Sequence, residues 1–93
     1  MLFYITNKIN VIFKKGQFVF QEGGNPVGIY FINSGKIKIS HAGTEGKYQI
    51  VRLAKEGDIL GYRALLSNEL YNSSAIALDD TDVGFIPKDM FFN

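Results

Sequence analysis

Few side chains in this sequence can do chemistry, and their types narrow it quickly. There is one histidine, His41, and no cysteine. That excludes thiolate iron–sulfur ligation, disulfides and Cys-type zinc sites, and no His, Asp or Glu grouping has metal-ligand spacing. Asp79-Asp80-Thr81-Asp82 is acidic but lacks the glycine and distal Glu of a calcium loop, so it reads as an exposed turn. No nucleophile–base pair is visible. The polar groups that remain include Arg63, within Gly61-Tyr62-Arg63-Ala64-Leu65-Leu66, and, a few residues on, Asn72-Ser73-Ser74. Tyr62 to Leu66 holds adequate helix formers and no β-branched residue, which predicts one or two helical turns. Arg63 then falls in the first turn, where it can meet an anion or simply be solvated. Ser73 and Ser74 can donate hydrogen bonds, or form a turn with Asn72.

The elements that must position these residues are short strands. The chain has 93 residues, enough for one small domain, with 46% hydrophobic content and a formal net charge of +1. Polyanion binding by this segment alone is disfavoured, because neutralising many phosphates needs a clear basic excess. No apolar run approaches a membrane span, and Met1 to Ile5 lacks the basic lead of a signal peptide and reads as the remnant of a helix or lead-in strand. Ten glycines and two prolines punctuate alternating runs rich in Ile, Val, Phe and Tyr. Strands are predicted at Asn10 to Phe13, Phe18 to Gln21, Gly28 to Asn33, Lys36 to His41, Tyr48 to Leu53, Ser74 to Leu78 and Val83 to Pro87. Lys36 to Ser40 alternates cleanly, so Ile37 and Ile39 face inward. Gly28 to Ile32 is apolar throughout and is predicted to be buried on both faces. Gly35 has the freedom for positive φ in the Asn33-Ser34-Gly35-Lys36 turn. His41 to Lys47 reads as an exposed hairpin tip, and Pro87 to Asn93 starts like a helix. Phe13, Phe18, Phe20, Tyr30, Phe31 and Phe85 are core material.

Five blocks in order carry a family resemblance. They are Lys15 to Gly23, Ile29 to Ile37, Glu56-Gly57-Asp58-Ile59-Leu60-Gly61, Ala64-Leu65-Leu66, and Ala75 to Phe85. Together they resemble the cyclic-nucleotide-binding-like sensor domain of Crp/Fnr-type bacterial transcription regulators, over roughly residues 10 to 93. The resemblance implies a mainly β fold, a double-stranded β-helix or jelly roll, with a short cassette helix and short terminal helical segments. It implies one domain over residues 1 to 93 that stops before a long C-terminal helix, with no DNA-binding domain in this chain. By the same resemblance, the cassette helix opening after Gly61 would present N–H groups to a phosphate.

The resemblance also exposes departures. Nucleotide-binding members carry a Glu after the cassette glycine and an Arg later in the cassette. Here those positions are read as Tyr62 and Asn72. Each lost charge-assisted contact costs about 1.5–3 kcal/mol, so weak or absent cyclic AMP binding is expected. The ligand-binding cassette is expected to comprise Gly61, Tyr62, Arg63, Ala64, Leu65, Asn72, Ser73 and Ser74. Arg52 shares a strand face with Ile50 and Ala54, a face that lines the pocket in the family, and is a further anion contact. A one-residue slip would turn Arg52 outward, and Tyr62 could instead fill the space of a missing ligand. The effector implied is a cyclic nucleotide or another small anion, with no cofactor certain and no metal. DNA contact would need a domain absent from this chain, a homodimer would belong to the full-length form, and the setting would be cytoplasmic. The alternatives are a ligand-free β-roll serving structural or protein contacts, and a cupin-type enzyme, for which one histidine is too few.

Overall fold

The computed structural model describes residues 9 to 42 and 48 to 90. Their elements are β1 (Ile9–Phe13), β2 (Phe18–Phe20), β3 (Gly28–Ser34), β4 (Lys36–Ala42), β5 (Tyr48–Lys55), β6 (Ile59–Leu60), α1 (Tyr62–Ser67), β7 (Ser74–Ala77), β8 (Thr81–Pro87) and a 3-10 turn, Lys88–Met90. The expected mainly β fold is therefore found. Two antiparallel four-stranded sheets are formed, in the orders β1-β8-β3-β6 and β2-β7-β4-β5. Among the described strands every consecutive pair except β4–β5 lies in different sheets, so the chain rolls between the two layers.

The roll closes on side chains that alternate along the strands. Ile37 is fully buried and pairs across the sheet with Ala54 on one side and Ala77 on the other. Ile39 lies between Ala75 and Arg52. At Ile37 a large residue flanked by two alanines lets the inner faces interdigitate. Val83, Ile32, Tyr30 and Leu60 complete the core from the opposite sheet. In β3, Gly28, Ile29, Tyr30 and Ile32 are buried as expected, whereas Phe31 keeps partial exposure.

The turns explain several motif residues. Gly35 takes φ +103°, and a Cβ there would meet the Thr81 hydroxyl at 2.5 Å. That hydroxyl lies 3.2 Å from the Lys36 carbonyl and 3.0 Å from the Asp79 carbonyl, which ties the β3–β4 turn to the start of β8. Gly57 takes φ +92°, and the Asp58 carboxylate accepts the Lys55 N–H at 2.9 Å. The Gly57 N–H then reaches the Ile32 carbonyl, and the Asp58 carbonyl accepts the Ile32 N–H. The Gly-Asp step is thus a turn lock that feeds β6 against β3.

Four sequence expectations need adjustment. Phe18, expected in the core, is 43% exposed, because β2 is an edge strand and its outward face meets no covering layer. β6 was not foreseen, because two residues between glycines carry no periodicity. His41 does not sit at a tip; it pairs with Gln49 within β4–β5 and is half-buried. The helical start at Pro87 is a single 3-10 turn over Lys88–Met90. The lead-in segment, the 43 to 47 hairpin tip, Phe91 and Phe92 lie outside the described residues.

Candidate functional site

Between β5, the Gly57–Gly61 step, α1 and the segment before β7 lies a cavity of about 1050 Å³ that opens to solvent. Its inner wall is Ile39 and Phe20, with Arg52 on β5. Arg52 stands opposite Ile39 in the β4–β5 pairing, on the same strand face as buried Ala54. That register turns the arginine toward the roll's concave side.

The second wall is α1. Gly61 at its N-cap takes φ +87°, a conformation open to glycine, and no side chain caps the helix. Leu65 is 5% exposed and anchors α1 in the protein interior. The helix stops at Asn68, which adopts left-handed geometry; the Glu69 N–H reaches the Ala64 carbonyl at 3.0 Å. Gly61, Tyr62, Arg63 and Ala64 line the cavity, as do Asn72 and Ser73 on the return toward β7. Two expected cassette residues lie elsewhere: Leu65 packs inward, and Ser74 is buried and accepts the Glu22 N–H at 2.8 Å. Glu22 in turn accepts the Ala42 N–H through its carboxylate at 2.9 Å. Ser74 therefore fixes the cassette's exit to the β2–β3 loop.

Tyr62 does not plug the space. It is 39% exposed and stands at the rim, where Ile59, Leu66 and Leu70 are also exposed and line the opening. The mouth is thus apolar while the walls carry charge. The charged wall residues are Arg52, Asp58, Arg63 and Glu69, and of these Asp58 is engaged in its own turn. Neither Arg52 nor Arg63 makes an ion pair or hydrogen bond among the described residues. No group of three His, Cys, Asp or Glu residues able to hold a metal occurs among them either.

Behind the cavity runs an aromatic group that residue types alone did not reveal as part of the site. Phe20 stacks on Tyr71 with centroids 4.1 Å apart and planes at 13°. Tyr30 lies 5.8 Å from Phe20 and 5.0 Å from Phe85. Burial, and secondarily the neighbouring Tyr71 phenol, push the Tyr30 hydroxyl up to about 12. Burial also pushes Tyr71 up. The signal available in the sequence was an aromatic directly before the polar Asn72-Ser73-Ser74 run.

The arrangement is an antiparallel β-roll with a short glycine-capped helix facing an open cavity. The chain belongs to the cyclic nucleotide-binding domain family, whose model matches residues 10–93. It is 37% identical over 78 residues to a cGMP-dependent protein kinase of Toxoplasma gondii, covering 83% of this chain and 7% of that one. It is 34% identical over 76 residues to the anaerobic regulatory protein of Bacillus subtilis, covering 81% of this chain and 32% of that one. The catabolite activator protein of Thermus thermophilus has the same fold, with a TM-score of 0.90 at 20% identity over 97% of this chain and 42% of that chain. The chain spans about half or less of the length of the curated relatives it matches.

Proposed function

We propose that this chain is the effector-sensing part of a Crp/Fnr-type transcription regulator, and that its cavity takes a small anionic effector and binds cyclic AMP weakly. The observation that carries this reading is a pair of arginines, Arg52 and Arg63, with no ion pair among the described residues, on two walls of one open cavity that the carboxylates Asp58 and Glu69 also line. Tyr62 and Asn72 stand in the same cavity where the family resemblance expects a carboxylate and a guanidinium. Without them, the ribose and cyclic phosphate each lose a charge-assisted partner, at about 1.5–3 kcal/mol apiece. Every 1.4 kcal/mol is tenfold in affinity, so two losses amount to orders of magnitude. The apolar rim of Ile59, Leu66 and Leu70 suits an effector with an apolar portion outside its anionic group. The role is regulatory rather than catalytic, in the cytoplasm, with DNA contact falling to another domain and dimerisation belonging to the full-length regulator.

Calorimetric titration with cyclic AMP tests the residue mapping. The wild-type domain gives no low-micromolar dissociation constant, and Tyr62→Glu combined with Asn72→Arg creates measurable affinity. Low-micromolar binding by the wild type overturns the reading. A folded double variant that gains nothing overturns the mapping of Tyr62 and Asn72.

A further inference from the structure

One polar side chain is deeply buried without a good partner. Tyr71 is 6% exposed, and its hydroxyl makes no hydrogen bond of acceptable geometry. The Tyr30 hydroxyl and the Val27 backbone approach it, but outside that geometry. Its own backbone is pinned: the Tyr71 N–H donates to the Gly24 carbonyl at 2.9 Å, and the Tyr71 carbonyl accepts the Gly23 N–H at 2.8 Å. The ring stacks on Phe20, which lines the cavity. The hydroxyl lies behind Gly61, where a Cβ would stand 3.6 Å from it and 3.4 Å from the Tyr30 ring. One side chain therefore stacks on the cavity's aromatic wall and borders the space beside the glycine that opens α1. A buried hydroxyl left unpaired costs stability, and each one in a folded protein calls for a reason. Phenylalanine would keep the ring, the stack and the burial without that penalty.

We propose that Tyr71 is a positioning residue of the cavity: its ring sets the Phe20 wall, and its hydroxyl gains a hydrogen-bond partner when an effector occupies the cavity and the Gly61 segment adjusts around it. This rests on the sensing reading above. An arrangement that is unfavourable in the free domain and satisfied in the occupied one makes binding draw on the relief of that penalty. Tyr71 touches no effector itself and acts through Phe20 and Gly61.

Tyr71→Phe tests the hydroxyl and Tyr71→Leu the ring. The readouts are the melting temperature of the free domain and affinity by NMR titration with cyclic AMP, cyclic GMP, inorganic phosphate and small carboxylates as probes. Tyr71→Phe raises the melting temperature by several degrees, and its affinity for whichever probe binds the wild type falls several-fold. A purely structural tyrosine would give a lower melting temperature with affinity unchanged, and either of those results overturns the role of the hydroxyl. Folded Tyr71→Leu loses affinity further; retained affinity overturns the role of the ring. Binding by the wild type with no change in either variant contradicts this proposal alone. A wild-type domain silent to every probe contradicts the sensing reading and this proposal with it.

Discussion

At the scale of single residues, environment decides which polar groups are available. Asp58, Glu22 and Ser74 are polar residues close to the cavity, yet each is occupied by a backbone partner. Arg52 and Arg63 have no such partner among the described residues. Side-chain type cannot make that distinction, because it depends on which backbone N–H groups the turns leave exposed. Arg52 was placed on the inner face through its two-residue offset from Ala54, and the pairing with Ile39 puts it there. Tyr71 was not singled out, because its importance comes from a stack with a residue 51 positions away, outside any local pattern. The buried phenol of Tyr30 carries a consequence for pH dependence. Its folded value of about 12 lies above the unfolded value of 10. A neutral phenol is favoured in the fold, so this contribution is fully present below pH 10 and is lost as pH rises toward 12. Denaturation with urea at a series of pH values is expected to show stability falling across that window, and Tyr30→Phe, which has no phenol to titrate, is expected to flatten the decline.

At the scale of elements, alternation was the strongest signal. Lys36 to Ser40 repeats every second residue, so β4 and its inward isoleucines follow from the sequence. β6 did not, since its two residues are held by the Gly57–Asp58 turn and by pairing with Tyr30 and Phe31 rather than by any intrinsic pattern. His41 shows the same limit: β4 runs one residue past the expected strand end, to Ala42, so His41 is paired strand rather than the start of the tip. Gly35 is the turn residue whose replacement is most revealing. Alanine there combines a positive φ with a Cβ driven onto Thr81. Gly35→Ala is expected to destabilise the domain by more than about 1 kcal/mol, read as a lower urea midpoint. Gly16→Ala has the same sign of φ but open space around the Cβ, and is expected to cost less. Equal losses at the two glycines would show that the Thr81 contact contributes nothing.

For the whole molecule, the roll's architecture was legible because closing two glycine-cornered sheets on an apolar interior leaves few options for such a sequence. The cavity's walls were less so, since they come from β2, β4, β5, the Gly57–Gly61 step with β6, α1 and the segment before β7, spread from residue 20 to residue 73. On the proposed reading, the cavity holds an anion between Arg52 and Arg63. A thermal-shift screen of the purified domain against cyclic mono- and dinucleotides and small organic anions tests it most directly. A ligand at a hundred times its dissociation constant adds about 2.7 kcal/mol to the folded state, and for a domain of this size each kcal/mol moves the melting temperature by roughly 4–8 °C. The expected result is a saturable rise with an anionic compound that is abolished in the Arg52→Ala, Arg63→Ala double variant. No shift with any anion, or a shift that survives loss of both arginines, would contradict the claim.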